Sequence, residues 1–264
     1  MHPRLNPFWA IKRLVMNPRL KITSTNLDIL KLGSSYGGWS FVPTDKLRRS
    51  VIISAGLGED ASFDVEIASK YSLKVIFLDP TPRAIKHFEE MEIQFCKHKS
   101  ENYSSGGNQN IQSYEMRDLD SDNFDFIPKA LWNKKTKMKF FKPENSSHVS
   151  HSLINFQFGY SVDTDYLEVA CITLKDVLEY SELQSIPLFK LDIEGAEIEV
   201  LEDMLSNEIY PNQILVEYDE LNYPSLRGRK RVLDCHGNLI AQGYKLIHRD
   251  MPSNFLYLKD LSQL

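Results

Sequence analysis

Two carboxylates, Asp192 and Glu194, close the apolar run Leu188-Phe189-Lys190-Leu191, and a third, Glu217, ends Ile214-Leu215-Val216. Acids at alternate positions past a buried-type strand can orient a ligand or take a proton from it, and side by side they raise one another's pKa. Residues 145–152, NSSHVSHS, carry His148 and His151 in a polar setting. An imidazole titrates near neutrality and can act as a base, although two loop histidines can equally serve as hydrogen-bonding caps. A further set is Gly56-Leu57-Gly58-Glu59-Asp60-Ala61, followed by Asp79 at the end of the next apolar run. The glycines let the backbone turn tightly beside a ligand, and Ala61 leaves room for a helix to pack on a strand. A carboxylate about 20 residues on accepts the hydroxyls of an adenosine ribose. The pattern describes an adenosine cofactor without saying which one.

The elements that must hold these residues are legible in outline. Residues 51–55, VIISA, lack polar alternation, as a parallel strand covered on both faces should, and residues 51–80 form a β-α-β unit. Pro80-Thr81-Pro82 opens a helix over residues 81–91 with Ile85 and Phe88 inward. Residues 99–110 are loop and residues 111–116 a short strand. Residues 136–141 belong to a short hairpin with lysines on the wet face and aromatics on the dry one. Thr173 to Asp176 has the form of a capping box, and the glycine turn at Gly195 leads into a helix with Ile198, Leu201 and Leu205 on one face. A helix over residues 229–242 precedes strands at residues 244–248 and 255–259, a closing hairpin. Near the start, Asn6 and Pro7 begin a helix that stops at Asn17-Pro18, with Phe8, Ile11 and Leu14 or Val15 packed on the core.

The 264 residues, 42% hydrophobic and 25% charged, suit one α/β domain. A net charge of -5 argues against a general nucleic-acid binder, which needs a basic surface to displace counterions from phosphate, so no nucleic-acid partner is expected. Cys96, Cys171 and Cys235 are widely separated and read as buried free thiols in a reducing compartment. Lys12 and Arg13 interrupt the apolar residues near the start, so a cytoplasmic protein without a membrane span is expected. The oligomeric state is left open.

The segments SAGLGEDASFDVEIA, LDPTPRAIKHFE, HVSHS, KLDIEGAEIEVLEDML and ILVEYDEL together resemble the FkbM-type family of S-adenosylmethionine-dependent methyltransferases, over roughly residues 31 to 260. The resemblance implies a Rossmann-like class I methyltransferase fold: a mostly parallel seven-stranded sheet with an antiparallel last strand and helices on both faces. With the helix read near the start, the chain divides into an N-terminal helix and cap over residues 1–40 and an S-adenosylmethionine-binding domain over residues 41–264. The resemblance also implies O-methylation of a hydroxyl on a small molecule, sugar or glycan.

The expected cofactor-binding residues are Ser54, Gly56, Gly58, Glu59, Asp60, Asp79, Pro80, Trp132 and Asp192. Gly56 and Gly58 would cradle the methionine part, Asp79 would bind the ribose, and Asp192 would orient the methionine amino group or the acceptor. The expected catalytic residues are His148, His151, Asp192, Glu194 and Glu217, with the histidines and glutamates competing for the part of general base. The carboxylates could instead hold a divalent cation, but no metal ligands are assigned. Two rival classes share part of the pattern. A nicotinamide-dependent oxidoreductase would use the glycine loop and Asp79, and a non-catalytic adenosine-cofactor-binding protein would keep the fold.

Overall fold

The structure, a computed structural model, describes residues 7–141 and 166–259. In chain order, helix α1 (Pro7–Met16) is followed by a hairpin of β1 (Leu30–Leu32) and β2 (Trp39–Phe41), then β3 (Val51–Ala55), α2 (Ser62–Tyr71), β4 (Lys74–Leu78), α3 (Pro82–Glu92) and β5 (Phe124–Ile127). Three strands, β6 (Ala130–Leu131), β7 (Thr136–Phe141) and β8 (Tyr166–Ile172), lead to α4 (Leu174–Tyr180), β9 (Leu188–Leu191), α5 (Glu197–Ser206) and β10 (Gln213–Glu217). The described chain closes with α6 (Leu226–Ala241), β11 (Lys245–Arg249) and β12 (Asn254–Leu258).

The main sheet has seven strands in the order β11-β12-β10-β9-β3-β4-β5. Strands β3, β4, β5, β9 and β10 run parallel, while β12 is antiparallel to both of its neighbours, β10 and β11. This is the Rossmann-like α/β sheet expected, and its last strand is the reversed one.

Successive residues of each central strand point to opposite faces, and the core divides accordingly. Ile52, Val75, Phe77 and Leu215 pack with Phe63 and Ile67 of α2 and Ala84 and Met91 of α3. Ile53, Ile76, Leu78, Ile214 and Val216 pack on the other face with Val177 of α4, Leu201 of α5 and Val232 and Leu239 of α6. Burial on both faces explains why these strands show no polar alternation.

Several local expectations need correction. Residues 111–116 form no strand: Ile111–Ser113 is a 3-10 turn capped by the Asn110 side chain, and Tyr114 and Met116 enter the core. The helix over 82–92 has Ala84, His87 and Met91 as its buried face, with Ile85 and Phe88 only half-buried. Phe88 stacks on Phe126 at 4.9 Å between ring centroids, which draws it toward the sheet edge. The lysines Lys134, Lys135, Lys137 and Lys139 are exposed and Trp132 is buried, but β7 is not half of a short hairpin. It pairs with β8, far along the chain, and β6 completes a small sheet of order β6-β8-β7.

Cys171 and Cys235 are buried thiols, whereas Cys96 is exposed, on a residue with φ of +59° where the chain turns after α3. Leu14 and Val15 are 70% and 68% exposed, so α1 is not seated through them. Its end is held instead by polar contacts: Arg229 Nη1 donates to the carbonyls of Met16 and Asn17, and Asn17 Nδ2 to that of Leu221. The β1–β2 hairpin spans residue 40, and Leu27, Leu30 and Leu32 pack on the same core as α2, so this stretch is stitched to the domain that follows.

Candidate active site

Strand β3 lies between β4 and β9, and the chain visits β4 and β5 before returning to β9 and β10 on the other side. In such a sheet a crevice opens at the carboxyl ends of the two diverging strands. Here the glycine loop after β3 meets the acidic turn after β9. Asp192 N donates to the Ala55 carbonyl at 3.0 Å. Gly56 has φ of +89°, and a Cβ on it would lie 1.7 Å from the Asp192 carbonyl oxygen. Only glycine permits both the backbone angle and this approach.

The wall formed by β3 and β4 is internally satisfied. Asp79 Oδ2 accepts from the amides of Leu57 (3.1 Å) and Gly58 (3.0 Å), and its Oδ1 from Thr81 N (2.8 Å) and Thr81 Oγ1 (2.7 Å). The amides at the start of α2 are engaged as well. Ala61 N donates to the Tyr114 hydroxyl, and Ser62 N to Asp60 Oδ1. Asp60 Oδ2 accepts from Ser34 Oγ at 2.6 Å and from Gln109 Nε2 at 3.1 Å, so Asp60 ties the glycine loop to the loop after β1 and to residues 104–109. Glu59 pairs with Arg83 and accepts from Asn108 Nδ2. Ser54 is fully buried beneath the loop, and Pro80 is half-buried before Thr81, the N-cap of α3. Of the cofactor residues expected on this wall, Glu59, Asp60 and Asp79 thus bind other parts of the chain, and Ser54 Oγ accepts from Lys190 Nζ.

The wall formed by β9 and β10 is acidic. Burial and then the charge of Glu217 push the Asp192 carboxyl up to about 7; Asp219 and Asp79 add to this, and the ammonium of Lys190 opposes it. Glu217 Oε1 accepts from Asn222 Nδ2 (2.7 Å) and Ser253 Oγ (3.0 Å), which fixes its orientation. Glu194 has φ of +56°, and Gly195 follows at +101°. Glycine takes such an angle freely, but at Glu194 it carries a backbone cost that its surroundings must offset. Glu197 does so: its buried carboxylate accepts from Ile193 N (2.9 Å) and from Gly195 N (3.0 Å to Oε2). Trp132 is buried with Ala196 and against Ile193, under this turn. The two histidines of the 145–152 segment, His148 and His151, lie outside the described residues. Among the described residues no group of three or more His, Cys, Asp or Glu side chains is arranged to hold a metal ion.

The model of the methyltransferase FkbM domain matches residues 42–242, about three quarters of the chain. The chain belongs to the FkbM methyltransferase family. None of the curated proteins and none of the solved structures matches it. The matched span of this FkbM methyltransferase holds both walls of the crevice, from the glycine loop through the end of β10. Residues 7–41 and the closing strands β11 and β12 lie outside it.

Sequence reasoning missed three buried charged residues that line this crevice or lie beneath it. Lys190, 3% exposed, lies beneath the glycine loop, and Asp64 of α2 is fully buried beside it. The signal for Lys190 was present, because a lone lysine in an apolar strand must find buried acceptors. Glu197 was the final acid of the DIEGAE run, and its position after a glycine turn hides the fact that it faces back into that turn.

No helix of the described residues is long and apolar enough to cross a membrane.

Proposed function

We propose that the chain is an S-adenosylmethionine-dependent O-methyltransferase acting on a hydroxyl of a small molecule, sugar or glycan. The observation that carries this reading is the electrostatic character of the crevice. A pyrophosphate in this fold needs free amides at the glycine loop and helix start. Here the amides of Leu57, Gly58, Ala61 and Ser62 are given to Asp79, Tyr114 and Asp60. The opposite wall presents Asp192, Glu217 and Asp219, which disfavour a phosphate and favour a cation. A nicotinamide dinucleotide is therefore the poorer fit, and a sulfonium cofactor with a free amino group is the better one.

The bound cofactor would supply a methyl group already activated by positive sulfur. The protein's own tasks are to hold the acceptor oxygen in line and to remove its proton. Gly56 and Gly58 shape the floor on which the methionine part would rest. Asp79 borders the ribose position, although its oxygens already accept four hydrogen bonds from the chain. Asp192, with a proton affinity near neutrality in the cofactor-free state, is suited to bind the amino group or the acceptor hydroxyl as a carboxylate. Glu217, oriented by Asn222 and Ser253, stands beside it as a base; Glu194, His148 and His151 remain in the same proposed role. Free thiols throughout and the family's chemistry fit a cytoplasmic setting.

The test is melting temperature and calorimetry with S-adenosylmethionine, S-adenosylhomocysteine and the nicotinamide dinucleotides, on wild type and Asp192→Asn. Wild type should be stabilised by the two sulfur compounds alone. The Asp192→Asn variant should melt as high as wild type without cofactor, lose most of the stabilisation with it, and transfer tritiated methyl about 10²-fold more slowly. Stabilisation by a nicotinamide dinucleotide and none by the sulfur compounds would sink the proposal.

A further inference from the structure

The buried ammonium of Lys190 has no part in the chemistry just described. Lys190 sits on β9 in register with Ser54 of β3, two residues before Asp192. Its Nζ donates to the Gly56 carbonyl at 3.0 Å and to Ser54 Oγ at 3.3 Å, and lies 3.6 Å from Asp64 Oδ2. Asp64 is fully buried and neither of its oxygens has hydrogen-bond geometry to a partner; burial raises its pKa, and the Lys190 ammonium 3.6 Å away opposes that rise and favours the carboxylate. Taking an ammonium and a carboxylate out of water is costly, and a methionine could fill the same space without that cost. The pair is explained by what it grips.

The grip is on one peptide group. The carbonyl of the Gly56–Leu57 peptide accepts from Lys190, and the N–H of the same peptide donates to Asp79 Oδ2 at 3.1 Å. The plane of this peptide is thus held from both ends, one from β9 and one from β4, at the place where Gly56 turns with φ of +89°. We infer that Lys190, with Asp64 as its counter-ion, is a positioning residue for the cofactor crevice: together with Asp79 it clamps the Gly56–Leu57 peptide and holds a positive charge beneath Asp192.

Two consequences follow. Without the clamp the peptide can rotate, and the glycine loop loses the shape that leaves room for a ligand against Asp192. The groups set around Asp192 are Glu217 and Asp219 from the β10 side, Asp79 from β4 and Lys190 from its own strand; Lys190 is the one that favours the carboxylate. Removing it leaves acids alone around Asp192, so cofactor binding that needs the carboxylate should require a higher pH.

This inference uses the S-adenosylmethionine reading only in its binding arm. The informative protein is the double variant Lys190→Met with Asp64→Asn, which removes the cation without stranding a buried carboxylate; Lys190→Met alone is carried beside it. In cofactor-free protein, hydrogen–deuterium exchange at the Leu57 and Gly58 amides should quicken by about tenfold or more, the scale of a lost charge-assisted hydrogen bond, with the amides of β3 and β9 unchanged. In calorimetry, S-adenosylmethionine affinity should fall by about tenfold, and its rise with pH should move to higher pH. Exchange at Leu57 and Gly58 equal to wild type would overturn the clamp whether or not the cofactor binds. A loosened loop with unchanged affinity and pH profile would overturn its role in positioning. Wild type that binds neither sulfur compound would overturn the proposed cofactor and leave the exchange result to decide the clamp.

Discussion

The two walls of the crevice are built on opposite principles. On the glycine side, donors and acceptors answer one another: Asp79 takes the amides of its own loop, and Asp60 and Tyr114 take those at the start of α2. On the DIEGA side, burial first and then the neighbouring carboxylate of Glu217 push the Asp192 carboxyl up to about 7. The first wall is complete without a ligand and should respond to substitution as a piece of core does. The second, on the function proposed above, is completed by a cationic ligand, and should respond through that ligand. Damage to the glycine wall should therefore appear in the empty protein, and damage to the acidic wall chiefly in the difference between empty and loaded protein.

The largest effect should come where the walls touch. Gly56→Ala sets a Cβ within bonding distance of the Asp192 carbonyl at a backbone angle that disfavours side chains, so β3 and β9 must part at their ends. A loss of about 4 kcal/mol or more is expected in chemical denaturation, if the variant folds at all. A loss under about 1 kcal/mol would mean that the contact between the walls relaxes easily, and the two would then have to be treated as independent.

Next in size is Asp79→Asn. A residue that served only the ribose could be replaced without harm to the empty protein, but this carboxylate accepts four hydrogen bonds from Leu57, Gly58 and Thr81. One amide oxygen cannot replace both carboxylate oxygens, so the cofactor-free variant should lose about 2 to 3 kcal/mol, with cofactor affinity falling as well. Loss of affinity at unchanged stability would assign Asp79 to the ligand and remove it from the wall.

The smallest effect is the pH response of the acidic wall. A carboxyl raised from its unfolded value to about 7 binds its proton more tightly when folded, so its contribution is present at low pH and lost as pH rises through the interval from about 4 to 7. Glu220, also pushed up to about 7 chiefly by burial, acts in the same direction. The two shifts together set an upper bound of about 8 kcal/mol, which solvent screening at half-buried Asp192 and carboxyls held low elsewhere, such as Asp176, reduce, so the empty protein should lose about 1 to 3 kcal/mol across that interval. Saturating S-adenosylmethionine should flatten the part owed to Asp192 and leave the part owed to Glu220. Asp192→Asn should show the flattened slope with or without cofactor. Melting curves at several pH values decide it, and an empty protein that grows more stable from pH 5 to 7 would contradict the electrostatic account of this wall.

Much of the frame was legible in the sequence because burial on both faces leaves a clear mark: β3, β4, β9 and β10 are short apolar runs closed by an acid or a glycine. The capping box at Thr173 and the helix start at Pro80-Thr81-Pro82 were legible for a similar reason, since each is settled within four residues. What the sequence hid was direction. A glycine motif says that Asp60 lies near a ligand loop, but not that its carboxylate turns away toward Ser34 and Gln109. Residues 111–116 looked like a strand because Tyr114 and Met116 are core residues at alternate positions, and alternation cannot separate a strand from an irregular segment pinned by a buried hydroxyl. Leu14 and Val15 looked like a packing face because periodicity records amphipathicity without recording whether a partner surface exists.

The placing of β12 between β10 and β11 has a consequence for synthesis. Strand β11 has one partner in the sheet, β12, which leaves the ribosome after it. A hydrogen bond to it also comes from far upstream, where Thr23 N donates to the Leu246 carbonyl. While the chain is still growing, β10 has an open edge and β11 has nothing in the sheet to join, so the nascent protein presents an unfilled slot one strand wide. Any extended apolar segment nearby could enter that slot, and the risk persists until residues 254–258 emerge and close it.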